Sequence, residues 1–281
     1  PKRVINIMDV ESMKQIETLS DGTVSIGAAV TLDDVLASSY LTDYRAVTDA
    51  ILGINSPQLQ CQGTLVGEIC QRPQCWYFRS GQGLLTDDDQ HGDSRFQAIL
   101  GNRGRARFVS SSRIAPALIA LSAHARVIGP GPDEEQYLPL ESIYRIPRRA
   151  SQREIALAPN QLVTHVLVPP AAGQSATYEV RQSEGPDFPL AAAAATLKIS
   201  SGVVSTARVV LGQVAPIPWI SNEAARQLVG RAITTEVAEE AGKAAVYTAV
   251  TLPDNEYKVQ LARVAVKRAI LLAAGFDIGG F

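Results

Sequence analysis

The residues with chemical capacity crowd into one stretch, Ser56 to Arg79. It holds Gly63 and Gly67 on either side of Thr64, Leu65 and Val66, and all three cysteines of the chain, Cys61, Cys70 and Cys75. A Gly-Thr-Leu-Val-Gly segment leaves few side chains over the backbone. Bare amides are what a phosphate needs if the main chain is to hold it. The same segment also reads as a plain tight turn, because a short glycine pair is a weak phosphate signal. Zinc and iron–sulfur sites normally take four ligands, and no His or fourth Cys stands at ligand spacing. Structural or free thiols are therefore the reading for the cysteines.

No catalytic constellation accompanies this stretch. His91, His124 and His165 share no local motif. His165 sits in an alternating strand pattern and reads as a surface or core residue. His-Glu-x-x-His, Gly-x-Ser-x-Gly, the Walker A motif and a dinucleotide fingerprint after the first strand are all missing. Asp87, Asp88 and Asp89 are adjacent, but no spaced oxygen ligands follow, so a solvated loop is expected rather than a calcium site. Arg148, Arg149 and Arg153 make a small basic loop of the solvated or interface kind. No catalytic residue and no metal ligand is assigned.

The elements that must position the stretch are legible in outline. Val4 to Met8 and Val24 to Val30 read as strands, with Asp21-Gly22 as a turn. Thr31 followed by Asp33 and Asp34 is a helix start, and the helix runs to about Ser38. Tyr44 to Gly53 is a second helix, stopped by its glycine. Beyond the loop Ser80 to Ser94, strands are expected over Phe96 to Leu100, Arg107 to Val109, Ala125 to Ile128, Tyr137 to Leu140 and Leu162 to Val168. A helix is expected over Ile114 to Ala123, capped near Ser112 or Arg113. Pro169-Pro170-Ala-Ala-Gly is the best boundary, giving domains 1–168 and 169–281. The second opens with strands Thr177 to Arg181, Leu190 to Ile199 and Val204 to Val210. Helices follow over Glu223 to Val229, Thr235 to Thr248 and Tyr257 to Ala274. This outline is α+β, with a small antiparallel sheet beside a helix bundle in the second domain.

Bulk properties narrow the function classes. The chain has 281 residues, 46% hydrophobic and 19% charged, with a net charge of -2 and a pI near 6.0. That balance gives no reason to expect nucleic acid or an anionic membrane as partner. The longest apolar stretch, Leu190 to Ala195, is too short to span a bilayer. The chain opens Pro-Lys-Arg-Val-Ile-Asn-Ile, without a signal-peptide layout or an initiator Met. Three cysteines are an odd number and too few for a disulfide scaffold. A cytoplasmic location is expected, the periplasm being open to a protein exported already folded with a partner.

Six segments, taken in order, resemble a known family. They are Ile26-Gly-Ala-Ala-Val-Thr-Leu, Ser56-Pro-Gln-Leu, Gly63-Thr-Leu-Val-Gly, Ala115-Pro-Ala-Leu, Val209-Val-Leu-Gly-Gln-Val-Ala-Pro-Ile-Pro and Tyr257-Lys-Val-Gln-Leu-Ala-Arg-Val-Ala-Val-Lys-Arg-Ala. The series is similar to the FAD-binding medium subunit of the molybdenum hydroxylases, such as xanthine dehydrogenase, carbon monoxide dehydrogenase and bacterial aldehyde oxidoreductases. Gln71-Arg-Pro-Gln-Cys-Trp-Tyr-Phe-Arg-Ser further resembles the branch of aldehyde oxidoreductases and hydroxybenzoyl-CoA reductases. The implied fold is a flavin-binding domain of the vanillyl-alcohol-oxidase type, its first subdomain largely missing. A carbon monoxide dehydrogenase flavoprotein C-terminal-like domain would follow. The implied role is electron transfer. A molybdopterin-binding large subunit oxidises an aldehyde or heterocycle, a [2Fe-2S] small subunit relays electrons, and FAD on this subunit passes them to an external acceptor.

The resemblance implies a cofactor-binding set of Ser56, Gln58, Gly63, Thr64, Leu65, Val66, Gly67, Glu68, Arg113 and Leu118. Several positions depart from the family pattern. The first glycine-rich loop, Ala-Gly-Gly-Thr-Asp/Asn, normally precedes the part where this sequence begins and is not among its residues. The second, usually Ala-Thr-Ile-Gly-Gly-Asn, reads Gly63-Thr64-Leu65-Val66-Gly67-Glu68. Val66 brings a β-branched side chain to a place where positive φ is expected. Glu68 brings a negative charge toward a pyrophosphate, and like charges roughly 5 Å apart cost on the order of a few kcal/mol. Arg113 stands where the family carries an Asp that serves the nucleotide. Cys75 matches one ligand of a [4Fe-4S] cluster found in this branch, but the other three have no counterpart, so no [4Fe-4S] is expected on this chain. Two readings follow: a working FAD subunit, or a degenerate medium subunit that has lost FAD and serves for docking. A plain interaction module outside the family is the third.

Overall fold

A computed structural model of the chain describes residues 3–86, 92–131 and 133–278. The Asp87–Asp89 run and His91 lie outside those residues. The first half builds a five-stranded antiparallel sheet from β1 (Ile16–Thr18), β2 (Val24–Gly27), β3 (His124–Ile128), β4 (Glu135–Pro139) and β5 (Leu162–Val168), in the order β1-β2-β5-β3-β4. Ala125, Val127, Val163, Val166 and Val168 point from this sheet into one core. Helices α1 (Leu32–Ala37), α2 (Arg45–Leu52), α3 (Pro57–Gln62), α4 (Leu65–Ile69) and α5 (Ala115–Ala120) supply the rest of that half. Thr31 caps α1 in a full capping box with Asp34.

The second half is a four-stranded antiparallel sheet, ordered β6 (Gln174–Val180), β7 (Ala191–Ser200), β8 (Val203–Gly212) and β9 (Trp219–Ile220). Helices α6 (Asn222–Leu228), α7 (Thr235–Ala245) and α8 (Tyr257–Ala273) pack on it. The alanine run Ala191–Ala195 explains the layering. A strand buried on both faces reads as an unbroken apolar run. Ala194 and Val210 join the core of the first half, whereas Ala193, Ala195 and Val209 join the core beneath α6, α7 and α8. The second sheet is thus the wall between two cores, with α2 and α5 on one side and α8 on the other. It does not merely sit beside a bundle.

Several sequence expectations are corrected. Val4 to Met8 is not a strand; a short 3-10 turn, Ile7–Asp9, stands there, capped by Asn6. Phe96 to Leu100 and Arg107 to Val109 form no strands. Isolated bonds tie them down instead, with Ala98 N donating to Arg107 O and Ile99 N to Val214 O. Ile99 and Leu100 are buried in the second core, so this segment of the first half packs with the second. Helices α3 and α4 stand where the sequence pattern predicts no helix; they are short and owe their ends to side chains. Ser56 Oγ accepts from Leu59 N, and Thr64 Oγ1 accepts from Gly67 N.

Candidate functional site

The turn Thr64–Ile69 forms the floor of a cleft of about 400 Å³. Thr64, Val66, Gly67 and Cys70 line it on one side. The opposite wall is Leu157 and Pro159 to Val163 without Asn160, leading into β5, and Ala28 closes the space beyond β2. Arg72 and Arg153 stand among the lining groups. The turn is placed by backbone pairing with the chain after β2: Leu32 N donates to Gly63 O at 3.0 Å and Leu65 N to Val30 O at 2.9 Å. A Cβ on Gly67 would lie 2.8 Å from Thr64 Oγ1. Glycine there keeps the hydroxyl and the amide side by side.

The far wall is held by ionic and hydrogen-bonded clamps. Arg72 donates to both oxygens of Glu154, whose side chain is buried, and lies 4.7 Å over the Phe78 ring. Tyr144 OH donates to Ile69 O at 2.8 Å while Tyr144 bridges to Ile155. Burial pushes the Cys70 thiol up to about 11, which leaves it protonated and a poor nucleophile or metal ligand at neutral pH. Cys61, Cys70 and Cys75 are all free thiols. Among the described residues no group of three or more His, Cys, Asp or Glu could hold a metal ion.

Behind the turn the geometry is of another kind. Glu68 directs its carboxylate away from the cleft lining, and Oε1 accepts from Arg113 N at 2.8 Å. Desolvation raises its pKa to about 7, against the pull of the Arg113 amide and charge. The Arg113 guanidinium grips Glu179 of β6, Nε to Oε1 at 2.9 Å and Nη2 to Oε2. Nη2 also donates to Gly53 O at the end of α2. Both side chains are almost wholly buried, at 3% and 5% exposure.

The ten residues expected to serve a cofactor therefore fall in different places. Thr64, Val66 and Gly67 line the cleft, and Gly63 adjoins it. Leu65 and Leu118 are fully buried core residues. Ser56 caps α3 and bonds Gln58, which is exposed; neither lines the cleft. Glu68 and Arg113 meet each other behind the turn. Val66 lies within α4, and positive φ is confined elsewhere, so its β-branched side chain meets no backbone penalty. Sequence reasoning missed Arg72, Glu154 and the Leu157–Val163 wall. The partners Arg72 and Glu154 stand 82 positions apart, a separation that carries no local signal.

Comparison with known proteins now bears on this cleft. Residues 1–171 match the model of the FAD binding domain in molybdopterin dehydrogenase. Residues 176–273 match the CO dehydrogenase flavoprotein C-terminal domain. The chain is 30% identical over 237 residues to the aldehyde oxidoreductase FAD-binding subunit PaoB of Escherichia coli, covering 79% of this chain and 72% of that protein. It is 24% identical over 280 residues to the carbon monoxide dehydrogenase medium chain of Hydrogenophaga pseudoflava, covering 96% and 81%. Its fold is that of CO dehydrogenase from Oligotropha carboxidovorans, with a TM-score of 0.71 at 20% identity over 96% of this chain and 82% of that one. Quinoline 2-oxidoreductase from Pseudomonas putida gives 0.70 at 17% identity over 96% and 80%.

Proposed function

This chain belongs to the FAD-binding medium-subunit family of the molybdenum hydroxylases, and from that premise we propose that it is the electron-transfer subunit of a heteromeric molybdenum hydroxylase. Its substrate class is an aldehyde or a heterocycle, oxidised on a molybdopterin-binding large subunit. Electrons arrive from the [2Fe-2S] centres of a small subunit and leave to an external acceptor. The observation that carries this reading is the cleft floored by Thr64 and Gly67, in a chain that matches the family over both halves.

The residues of the cleft fit the dinucleotide. Gly67 leaves open the space that a Cβ would fill beside Thr64 Oγ1. A hydroxyl that accepts one hydrogen bond, as Thr64 does from Gly67 N at 3.2 Å, still carries a proton to donate to a phosphate oxygen. Ala28, Val66, Leu157 and Val163 present apolar surface and exclude water. Arg72 and Glu154, which pair with each other, also line the cleft, and the exposed Arg153 would supply positive charge for an anionic pyrophosphate. The flavin, when bound, supplies the exchange between one-electron donors and one- or two-electron acceptors. No residue of the chain is assigned a bond-breaking step.

The docking subunit without flavin is not favoured. Of the substitutions behind it, Glu68 and Arg113 meet each other behind the turn instead of facing the cleft, and Val66, which lines the cleft, lies within α4 without positive φ. No described helix is long and apolar enough to cross a membrane. Three free thiols, one of them exposed, suit a reducing cytoplasm. The test is to release and quantify flavin from the purified complex. About one FAD per copy of this chain is expected. Iron–sulfur absorbance with no releasable flavin would overturn the proposal.

A further inference from the structure

The cleft floor is fastened to the second half of the chain by buried polar contacts that nothing in the cleft requires. Gly67 lines the cleft, and the next residue, Glu68, accepts a hydrogen bond from the Arg113 amide. Arg113 carries the link onward with a two-pronged grip on Glu179, near the end of β6, the edge strand of the second sheet. Its guanidinium also donates to Gly53 O and, at 3.5 Å, to Asp187 O. A bidentate Arg–carboxylate pair fixes orientation as well as distance. Such a pair is costly to bury and is broken only at greater cost, because the abandoned partner stays desolvated.

The segment just before Arg113 repeats the connection. Ser111 Oγ accepts from Gln74 N at 2.8 Å, on the chain leaving the turn. Ser111 O accepts from Gln213 Nε2 at 3.2 Å, on the far side of the joint. Gln213 holds positive φ, and its carbonyl takes the buried Lys258 ammonium of α8 at 2.8 Å. Residues 111 and 113 are therefore a hub. One side of it holds the turn and its exit, and the other holds the second sheet and α8.

We propose that Glu68, Arg113 and Glu179 are positioning residues: through them the second half of the chain fixes the Thr64–Ile69 turn from behind, so that docking of the two halves sets the affinity of the cleft for its dinucleotide. None of the three lines the cleft. The link to FAD rests on the function proposed above; the link to the turn does not.

An internal control exists. Arg208 of β8 pairs with Glu141 at 2.6 Å and joins the same two halves through residues that are not part of the Glu68–Arg113–Glu179 chain. The purified complex is prepared as wild type, Glu179→Gln, Arg113→Lys and Arg208→Gln. Each is stripped of flavin and titrated with FAD by fluorescence quenching. Hydrogen exchange of the peptide spanning residues 64–69 is followed in parallel. Glu179→Gln is expected to weaken FAD binding at least tenfold and to speed exchange across the turn. Arg113→Lys, which keeps the charge but loses the fork, should fall between it and wild type. Arg208→Gln should stay within twofold of wild type in both readouts. Equal effects of Glu179→Gln and Arg208→Gln, or unchanged exchange at the turn in Glu179→Gln, would overturn the proposal. A wild-type complex that binds no FAD would sink the function proposed above, while the exchange data would still decide the positioning role.

Discussion

The two sides of the Thr64–Ile69 turn are built on different physics. The side facing the cleft is sparse: a bare glycine, a hydroxyl and the Val66 side chain. The side facing the joint is dense, with a carboxyl, a guanidinium and a second carboxylate packed out of water. Sparse surfaces suit a ligand that brings its own charges and hydrogen-bond acceptors. Dense buried networks suit fixed geometry, because each polar group is expensive unless all its partners hold still. Preorganisation on one side is thus supplied by rigidity on the other.

Disrupting the dense side should have the largest effect. Arg113→Ala leaves Glu179 buried without its partner, and a cost of about 3–5 kcal/mol is expected. Thermal unfolding of the complex measures it; a loss below about 1 kcal/mol would mean the pair is dispensable. Next comes pH. The folded pKa of Glu68, about 7, lies above its ordinary value of 4.5. The folded state therefore holds more protons than the unfolded state between those values. Stability from this group is full below the lower value and falls as pH rises through the upper one. Glu68→Gln should flatten that part of the stability–pH curve, a change on the order of 1–3 kcal/mol. Chemical denaturation at pH 5 and pH 8 reads it.

On the sparse side the effects should be smaller in stability and larger in binding. Thr64→Ala removes the cap of α4, at about 1 kcal/mol. Because Thr64 also lines the cleft, its FAD affinity should drop several-fold, visible in the fluorescence titration. Smallest of all is Arg208→Gln. That pair is about one-third exposed on each side, so a loss within about 1 kcal/mol is expected from the same thermal scans.

Much of the frame was legible in the sequence because it rests on local rules. Strand β5 follows from its apolar run, with the bounds Leu162–Val168 as expected. The helix over Tyr257–Ala273 follows from its periodic stripe. The Gly63–Gly67 segment stands out by its glycine pair, but its form, the start of helix α4, does not. What sequence reading missed is non-local. Arg113 and Glu179 are 66 positions apart, and neither has a neighbour that announces the other. Val4 to Met8 has strand composition, but Asn6 caps a 3-10 turn over Ile7–Asp9 instead. Sequence places Glu68 beside the expected phosphate because it gives a residue's position but not its side chain's direction; the carboxyl turns to the Arg113 amide instead. The alanine run of β7 marks a strand but carries no sign of the two cores it separates.

A structure of the oxidised complex, determined with FAD present, tests the central claim most directly. The expected result is a dinucleotide in the cleft against Thr64 and Gly67, facing the Leu157–Val163 wall, with the Arg113–Glu179 pair intact behind the turn. A flavin bound elsewhere, or a complete complex whose cleft holds none, would contradict it.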